Sequence, residues 1–156
     1  MNPDIIQTLM GAMGSVGFAV LFNVRGTKLT LFFLGGALAW DVYLVCTHNG
    51  SSMFVGLLCA AMAVAFLSEI LARVIHAPVL ILLVPMLVPL IPGGDLYRTM
   101  DALIRGEKEL FLTNGTIAIT AAGAISLGII ATTAFAQIVF GIYEHVHRFY
   151  LSKHKK

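Results

Sequence analysis

Four prolines and a glycine pair interrupt one apolar stretch near the middle of the chain. Pro78, Pro85, Pro89 and Pro92 stand seven, four and three residues apart, and Gly93-Gly94 follows directly. A proline inside a helix lacks the N–H that would bond the carbonyl four residues earlier, and its ring pushes that carbonyl away. The spacing therefore predicts a helix break whose unpaired acceptors lie on one face.

The carbonyls expected to lose their helical partners are those of Ile81, Pro85 and Val88. In hydrocarbon each unsatisfied group costs several kcal/mol, so such backbone is tolerated only where protein buries it or water reaches it. We expect this face to border a cavity, as in secondary transporters that build a substrate site from a discontinuous helix. The alternative is a kinked packing helix, since prolines are common in membrane helices.

The glycine pair is placed to bind an anion. Gly93 and Gly94 can present backbone N–H groups at the start of the next helix, where the positive end of the helix dipole favours a carboxylate. Arg98, one turn beyond Gly94, could add positive charge, although a surface arginine needs no such role.

Two acids lie within apolar runs, where an ionisable group is by default a functional candidate. Glu69 stands four residues before Arg73, so the two side chains can pair on one helix face. The pair is interpreted either as a structural ion pair or as a group that couples an ion to transport. Asp41 lies between Trp40 and Tyr43 and is interpreted as an interfacial acid.

No catalytic constellation accompanies these residues. The serines, histidines and acids form no nucleophile elbow, metal-ligand spacing or phosphate-binding loop, so no catalytic residue, metal or cofactor is predicted and we expect no enzyme. The net charge of +2, with basic residues gathered near the C-terminus, argues against a nucleic-acid partner.

The composition indicates an integral membrane protein. Among 156 residues, 58% are hydrophobic and 12% charged, and the mean hydropathy is +0.90. In soluble domains about a quarter of the residues are charged. The length allows a single transmembrane domain over residues 1–156.

The apolar runs predict an all-α, polytopic helical bundle with about five transmembrane helices. Crossing a bilayer takes roughly 20 apolar residues as a helix. The predicted spans are 5–22, 29–46, 53–72, a proline-broken fourth span at 78–92, and 116–143. The fourth is short enough to re-enter instead of crossing.

The lysines and arginines favour a crossing, because short cytoplasmic loops retain positive charge. If the fourth span crosses, with the N-terminus outside, seven of the ten basic residues are cytoplasmic. If it re-enters, six are. We therefore predict five spans with a cytoplasmic C-terminus.

Three further features flank the last span. Apolar residues recur at helical spacing over about 95–110, which predicts an amphipathic surface helix with Asp95 as its N-cap. Thr-Asn-Gly at 113–115 is interpreted as a turn into the last span, and 144–156 as a basic tail.

Small residues recur along two spans, at Gly11, Gly14 and Gly17 and at Ala124, Gly128 and Ala131. In lipid such residues let helix backbones approach closely. We interpret both faces as packing surfaces that are also candidates for receiving a partner.

Three segments together resemble one family. NVRGTKLTLFFLGGALAW, SEILARVIHAP and VPMLVPLIPGGDLYRTM follow in the order seen in threonine/serine exporters, over about residues 20–105. The most specific part is Pro85 to Tyr97. The likeness is to the small separate subunit equivalent to the family's C-terminal membrane half.

This resemblance implies a bacterial inner-membrane exporter of threonine and serine or, in the split two-subunit branch, of a dicarboxylate such as succinate. It also implies an ion gradient as the driving force and a second membrane subunit that carries the other half. The family pattern falls on Glu69, Arg73, Pro78, Pro85, Pro89, Pro92, Gly93, Gly94 and Tyr97. Asp41 and Asp95 lie outside it.

Two function hypotheses follow, with a passive channel left open beside them. In the first, the chain is a subunit of a secondary exporter for a small carboxylate-bearing metabolite, and Pro85, Pro89, Pro92, Gly93, Gly94, Tyr97 and Arg98 line its path. In the second, the chain is an assembly or stability subunit that never contacts substrate.

Overall fold

Residues 3–153 form six α-helices joined by short connections. The computed structural model describes residues 3–153, with side chains described over 3–140. The predicted basic tail at 144–156 lies outside the residues whose side chains are described. The helices are α1 (Pro3–Leu21), α2 (Leu29–His48), α3 (Met53–Ile75), α4 (Val79–Leu87), α5 (Gly93–Arg105) and α6 (Lys108–Lys153), with 3-10 turns at Gly26–Lys28 and Val88–Leu90.

The prediction of an all-α membrane bundle is confirmed. Four helices of the described chain, α1, α2 with its preceding turn, α3 and α6, are long and apolar enough to cross a membrane. The pair Val79–Leu90 and Gly93–Arg105 also passes as one span, bent by 61°. The chain is therefore a multi-pass membrane protein.

Helices α3 and α6 run in the same direction. Gly128 of α6 lies against Leu58 and Ala61 in the first half of α3, and Phe140, further along α6, lies under Arg73 near the end of α3. Two helices can be parallel here only if the chain between them returns to the end of the bundle where α3 begins. The segment 79–90 makes that return.

This path defines two ends of the bundle. We name the "glycine end" after Gly93 and Gly94; it comprises residues 48–53 and 89–95. The "basic end" comprises residues 22–28, with Arg25 and Lys28, and residues 75–78. Helix α4 runs from the basic end to the glycine end.

Helix α4 lies in the interior, and Met86 is at the centre of its buried face. Met86 is fully buried and occupies the space left open by Gly35 of α2, where a Cβ would overlap its sulfur. On its other side Ser68 of α3 donates its hydroxyl to the Met86 sulfur at 3.8 Å. Gly35 and Ser68 therefore allow α4 to lie deep between α2 and α3.

Both small-residue faces are used mainly within the chain. A Cβ at Gly11 would stand 3.2 Å from Cβ of Pro89, and one at Gly128 would stand 2.8 Å from the Leu58 carbonyl oxygen. Ala124 is fully buried, whereas Gly17 meets open space. The packing interpretation is confirmed at Gly11, Ala124 and Gly128, so these positions are covered and cannot receive a partner.

The turn before the last span lies earlier than expected. Helix α5 ends at Arg105 and is capped by Gly106, whose φ of 73° is in the left-handed region, and the Glu107 N–H bonds the Ala102 carbonyl at 2.9 Å. This is a glycine-based helix end. Thr-Asn-Gly at 113–115 forms no turn and lies inside α6, because the Asn114 side chain bonds the Leu110 carbonyl of its own helix.

Candidate functional site

The proline break is a tightened turn with most of its main chain paired. The Val88 N–H bonds the Pro85 carbonyl, and the Ile91 N–H bonds the Val88 carbonyl at 3.2 Å. Two of the three carbonyls that were expected to lack a hydrogen-bond partner therefore accept a bond from the N–H group three residues later. That expectation was wrong for Pro85 and Val88, because a 3-10 bond replaces the helical bond that proline removes.

The chain direction changes at residues 91 and 92. Ile91 is extended (φ −68°, ψ 125°), and Pro92 then serves as the N-cap of α5 without a side-chain bond. The predicted N-cap, Asp95, lies instead in the first turn of that helix. The 61° bend therefore places the start of α5 beside the end of the broken span.

Two amide groups at the start of α5 remain open. The Gly93 N–H bonds the Ile91 carbonyl at 2.8 Å, and the Leu96 N–H bonds the Pro92 carbonyl at 3.0 Å. Gly94 and Asp95 lie between them, and among the described residues their N–H groups have no main-chain partner. Such orphan donors carry the positive end of the helix dipole.

A cavity of about 240 Å³ lies against this helix start. One wall is formed by residues 89–95, and the other comes from α2, α3 and α6 through Trp40, Tyr43, Met53, Leu57 and Ala121. The Trp40 and Tyr43 rings lie 5.2 Å apart. The cavity thus combines apolar and aromatic walls with polar main chain, the usual composition of a small-molecule site.

At Gly93 and Gly94, neither the backbone conformation nor packing against the described residues requires glycine. Neither has a positive φ, and a Cβ on either would meet no atom within 4 Å. Both residues are exposed. Their missing side chains leave the mouth of the cavity and the Gly94 amide accessible.

Asp95 brings a carboxylate to the same cavity. It lines the wall and approaches Arg98 at 3.6 Å; the Asp95 side chain is 27% exposed and the Arg98 side chain 70%. Arg98 thus lies next to the cavity as half of an ion pair. The site carries charge of both signs close to open amides.

The predicted site residues fall into separate places. Pro89, Pro92, Gly93 and Gly94 line the cavity. Pro85 is buried in the packed part of α4, and Tyr97 is 74% exposed on α5 outside the cavity.

Glu69 and Arg73 lie on α3 toward the basic end. The Arg73 guanidinium contacts the Glu69 carboxylate at 2.6 Å, and the Glu69 side chain is 8% exposed while that of Arg73 is 40% exposed. Arg73 also lies over the Phe140 ring at 3.6 Å. The predicted pairing is present, and the pair ties α3 to α6 away from the glycine-end cavity.

Asp41 has a local partner. The Thr8 hydroxyl donates to the Asp41 carboxylate at 2.6 Å, and the neighbouring Trp40 indole donates to Gln7 at 3.3 Å. Asp41 is exposed. These bonds join α1 to α2, and they give Asp41 a hydrogen-bond partner without a ligand.

Sequence reasoning missed the aromatic wall of the cavity. Trp40 and Tyr43 were noted only as signs of a membrane interface. Their spacing of three residues puts both rings on one face of α2, and that spacing was the available signal.

These observations define a multi-pass membrane bundle with a broken span and a small polar-ended cavity at the break. A family model described as threonine/serine exporter, ThrE, matches residues 7–135. The chain belongs to the threonine/serine exporter family. No match to it was found among curated proteins or among solved structures.

Proposed function

We propose that the chain is a subunit of a secondary active exporter for small amino acids such as threonine and serine, and that the glycine-end cavity binds the substrate. One observation supports the proposal most directly: a single cavity at a helix break is lined by the open Gly94 and Asp95 amides and by the acid Asp95. Broken helices are how many transporters present main-chain groups to substrate.

A zwitterion fits the charges of this cavity. The substrate carboxylate would accept bonds from the Gly94 and Asp95 amides, aided by Arg98. Its ammonium group would face the Asp95 carboxylate and the Trp40 and Tyr43 rings, which favour a cation over their faces. A dicarboxylate such as succinate would instead bring a second negative charge to Asp95, so we favour amino acids over dicarboxylates.

A second cavity, of about 280 Å³, lies at the basic end of α4 and is lined in part by Phe32 and Leu82. Between the two cavities α4 is packed tightly around Met86, which is fully buried. Leu82 and Pro89, which border the two cavities, are about 10 Å apart along the helix at 1.5 Å per residue. Export would require this dry segment to open to one side at a time.

We place the basic end in the cytoplasm of a bacterial cell, because Arg25 and Lys28 lie there and short cytoplasmic loops retain positive charge. The C-terminus is then cytoplasmic and the membrane is the inner one. If the bent pair crosses as one span, the described residues contain five spans, an odd number that cannot divide into equal repeats. A second membrane subunit carrying the other half of the exporter would complete the path.

Asp95→Asn tests the binding scheme. We expect the substrate concentration for half-maximal threonine and serine efflux to rise about tenfold, the loss of one charge-assisted hydrogen bond. Asp101→Asn is the matched control, since Asp101 pairs with Arg105 at 3.0 Å on the same helix and does not line the cavity. Efflux would be measured from loaded cells at equal amounts of chain and partner.

The same assay separates the other hypotheses. Efflux should fall when the proton gradient and membrane potential are dissipated, whereas a passive channel would be insensitive to both. An assembly subunit would lower efflux only in proportion to partner abundance. Equal effects of Asp95→Asn and Asp101→Asn would contradict the binding scheme.

A further inference from the structure

The cavity at the basic end carries positive charge that the proposed substrate site does not use. It is built from the loop between α1 and α2, the junction of α3 and α4, and the first turns of α4. Arg25 and Lys28 both line it. Within residues 3–140 neither takes part in an ion pair.

None of the acids within residues 3–140 lines this cavity. Glu69 is paired with Arg73, and Asp41 accepts a hydrogen bond from Thr8. Asp95, at the glycine end, is also in an ion pair. The cavity therefore holds two like charges without a countercharge from the described side chains, an arrangement that attracts an anion.

The remaining lining supplies both a polar and an apolar side. Asn23, whose φ of 60° is in the left-handed region, also lines the cavity and carries an amide that can donate hydrogen bonds. Phe32, Ile81 and Leu82 form an apolar wall. The cavity is thus suited to a small amphiphile with one charged oxygen-bearing group.

We infer that the basic-end cavity is a binding site for a single oxyanion group, either a substrate carboxylate or a lipid phosphate, held by Arg25 and Lys28. The carboxylate form rests on the proposed function, since it would receive the substrate before it crosses beside α4. The phosphate form does not, because an anionic lipid would bind whatever the chain transports.

A charged thiol reagent tests the site directly. Phe22 lines the cavity and is 46% exposed, so Phe22→Cys, with Cys46→Ser and Cys59→Ser, reports on the local potential. The full chain would be placed in phosphatidylcholine nanodiscs. Relative to its rate with a free thiol in solution, an anionic methanethiosulfonate should react faster than a cationic one, and this ratio should fall about fivefold for each of Arg25→Gln and Lys28→Gln.

Arg105→Gln with Lys108→Gln is the matched control, since it removes two positive charges near the Gly106 turn, and it should leave the ratio unchanged.

Protection of the Phe22→Cys thiol against the reagent identifies the occupant. Slowing by saturating L-threonine supports a carboxylate site, and slowing by added phosphatidylglycerol supports a lipid phosphate site. A ratio unaffected by Arg25→Gln and Lys28→Gln, or no protection by either compound, would overturn the inference. Neither result bears on Asp95→Asn, which tests the opposite end.

Discussion

Replacing Gly94 with leucine is expected to reduce threonine efflux at least a hundredfold without lowering the amount of chain in the membrane. A Cβ added at Gly94 would meet no atom within 4 Å, and the residue has no positive φ, so neither the backbone nor contacts at Cβ oppose a larger side chain. It would instead occupy the mouth of the 240 Å³ cavity and cover the open Gly94 amide. Efflux from loaded cells, normalised to the chain in the membrane, measures the effect.

Gly17→Leu is the control for this substitution. Gly17 is also a helical glycine with open space around it, but it lies on α1 outside the cavity, so efflux should be unchanged. Gly94→Ala should have an intermediate effect, because a methyl group fills little of the cavity. If Gly94→Leu and Gly17→Leu export equally well, the glycine-end cavity is not the substrate site.

The second large effect concerns stability. Arg73→Gln should destabilise the bundle more than Glu69→Gln, because it leaves a carboxylate that is 8% exposed without its partner, whereas Arg73 is already 40% exposed. We expect a loss of about 2 kcal/mol, below the range for fully buried pairs because of that partial exposure. The apparent melting temperature in detergent should fall by about 6 °C.

The double variant Glu69→Gln with Arg73→Gln serves as the control and should recover part of the loss, since no charge is then left buried and unpaired. The same variants decide between the two roles of Glu69. The contacts favour a structural ion pair, so Glu69→Gln should keep gradient-dependent efflux. Loss of that dependence at an unchanged melting temperature would instead make Glu69 a coupling group.

The membrane class and the helical bundle follow from the sequence because they depend on the length and apolarity of whole segments. The position of the break also follows, since proline removes the same N–H wherever it occurs. The Glu69–Arg73 pair was predictable from its spacing of four on one helix face. Each of these features is local along the chain.

Two local expectations were wrong, and one part of the site was missed because it depends on contacts between distant segments. The carbonyls of Pro85 and Val88 were expected to lack hydrogen-bond partners. They instead accept 3-10 bonds from the Val88 and Ile91 N–H groups, because the helix narrows to a 3-10 turn before the chain bends. The expected turn at Thr-Asn-Gly failed because Asn114 bonds its own helix. The spacing of Trp40 and Tyr43 places both rings on one face of α2, but that this face lies beside the break follows only from the packing of α2.

Transport through the glycine-end cavity requires the break at residues 89–94 to open to water and substrate. Reaction of Gly93→Cys with a membrane-impermeant thiol reagent, in a chain carrying Cys46→Ser and Cys59→Ser, tests this directly. We predict rapid labelling that saturating threonine slows, while Tyr97→Cys, exposed on the next turn outside the cavity, labels at one rate with or without threonine. A Gly93→Cys chain that fails to label, or labels equally fast in the presence of threonine, would contradict the account.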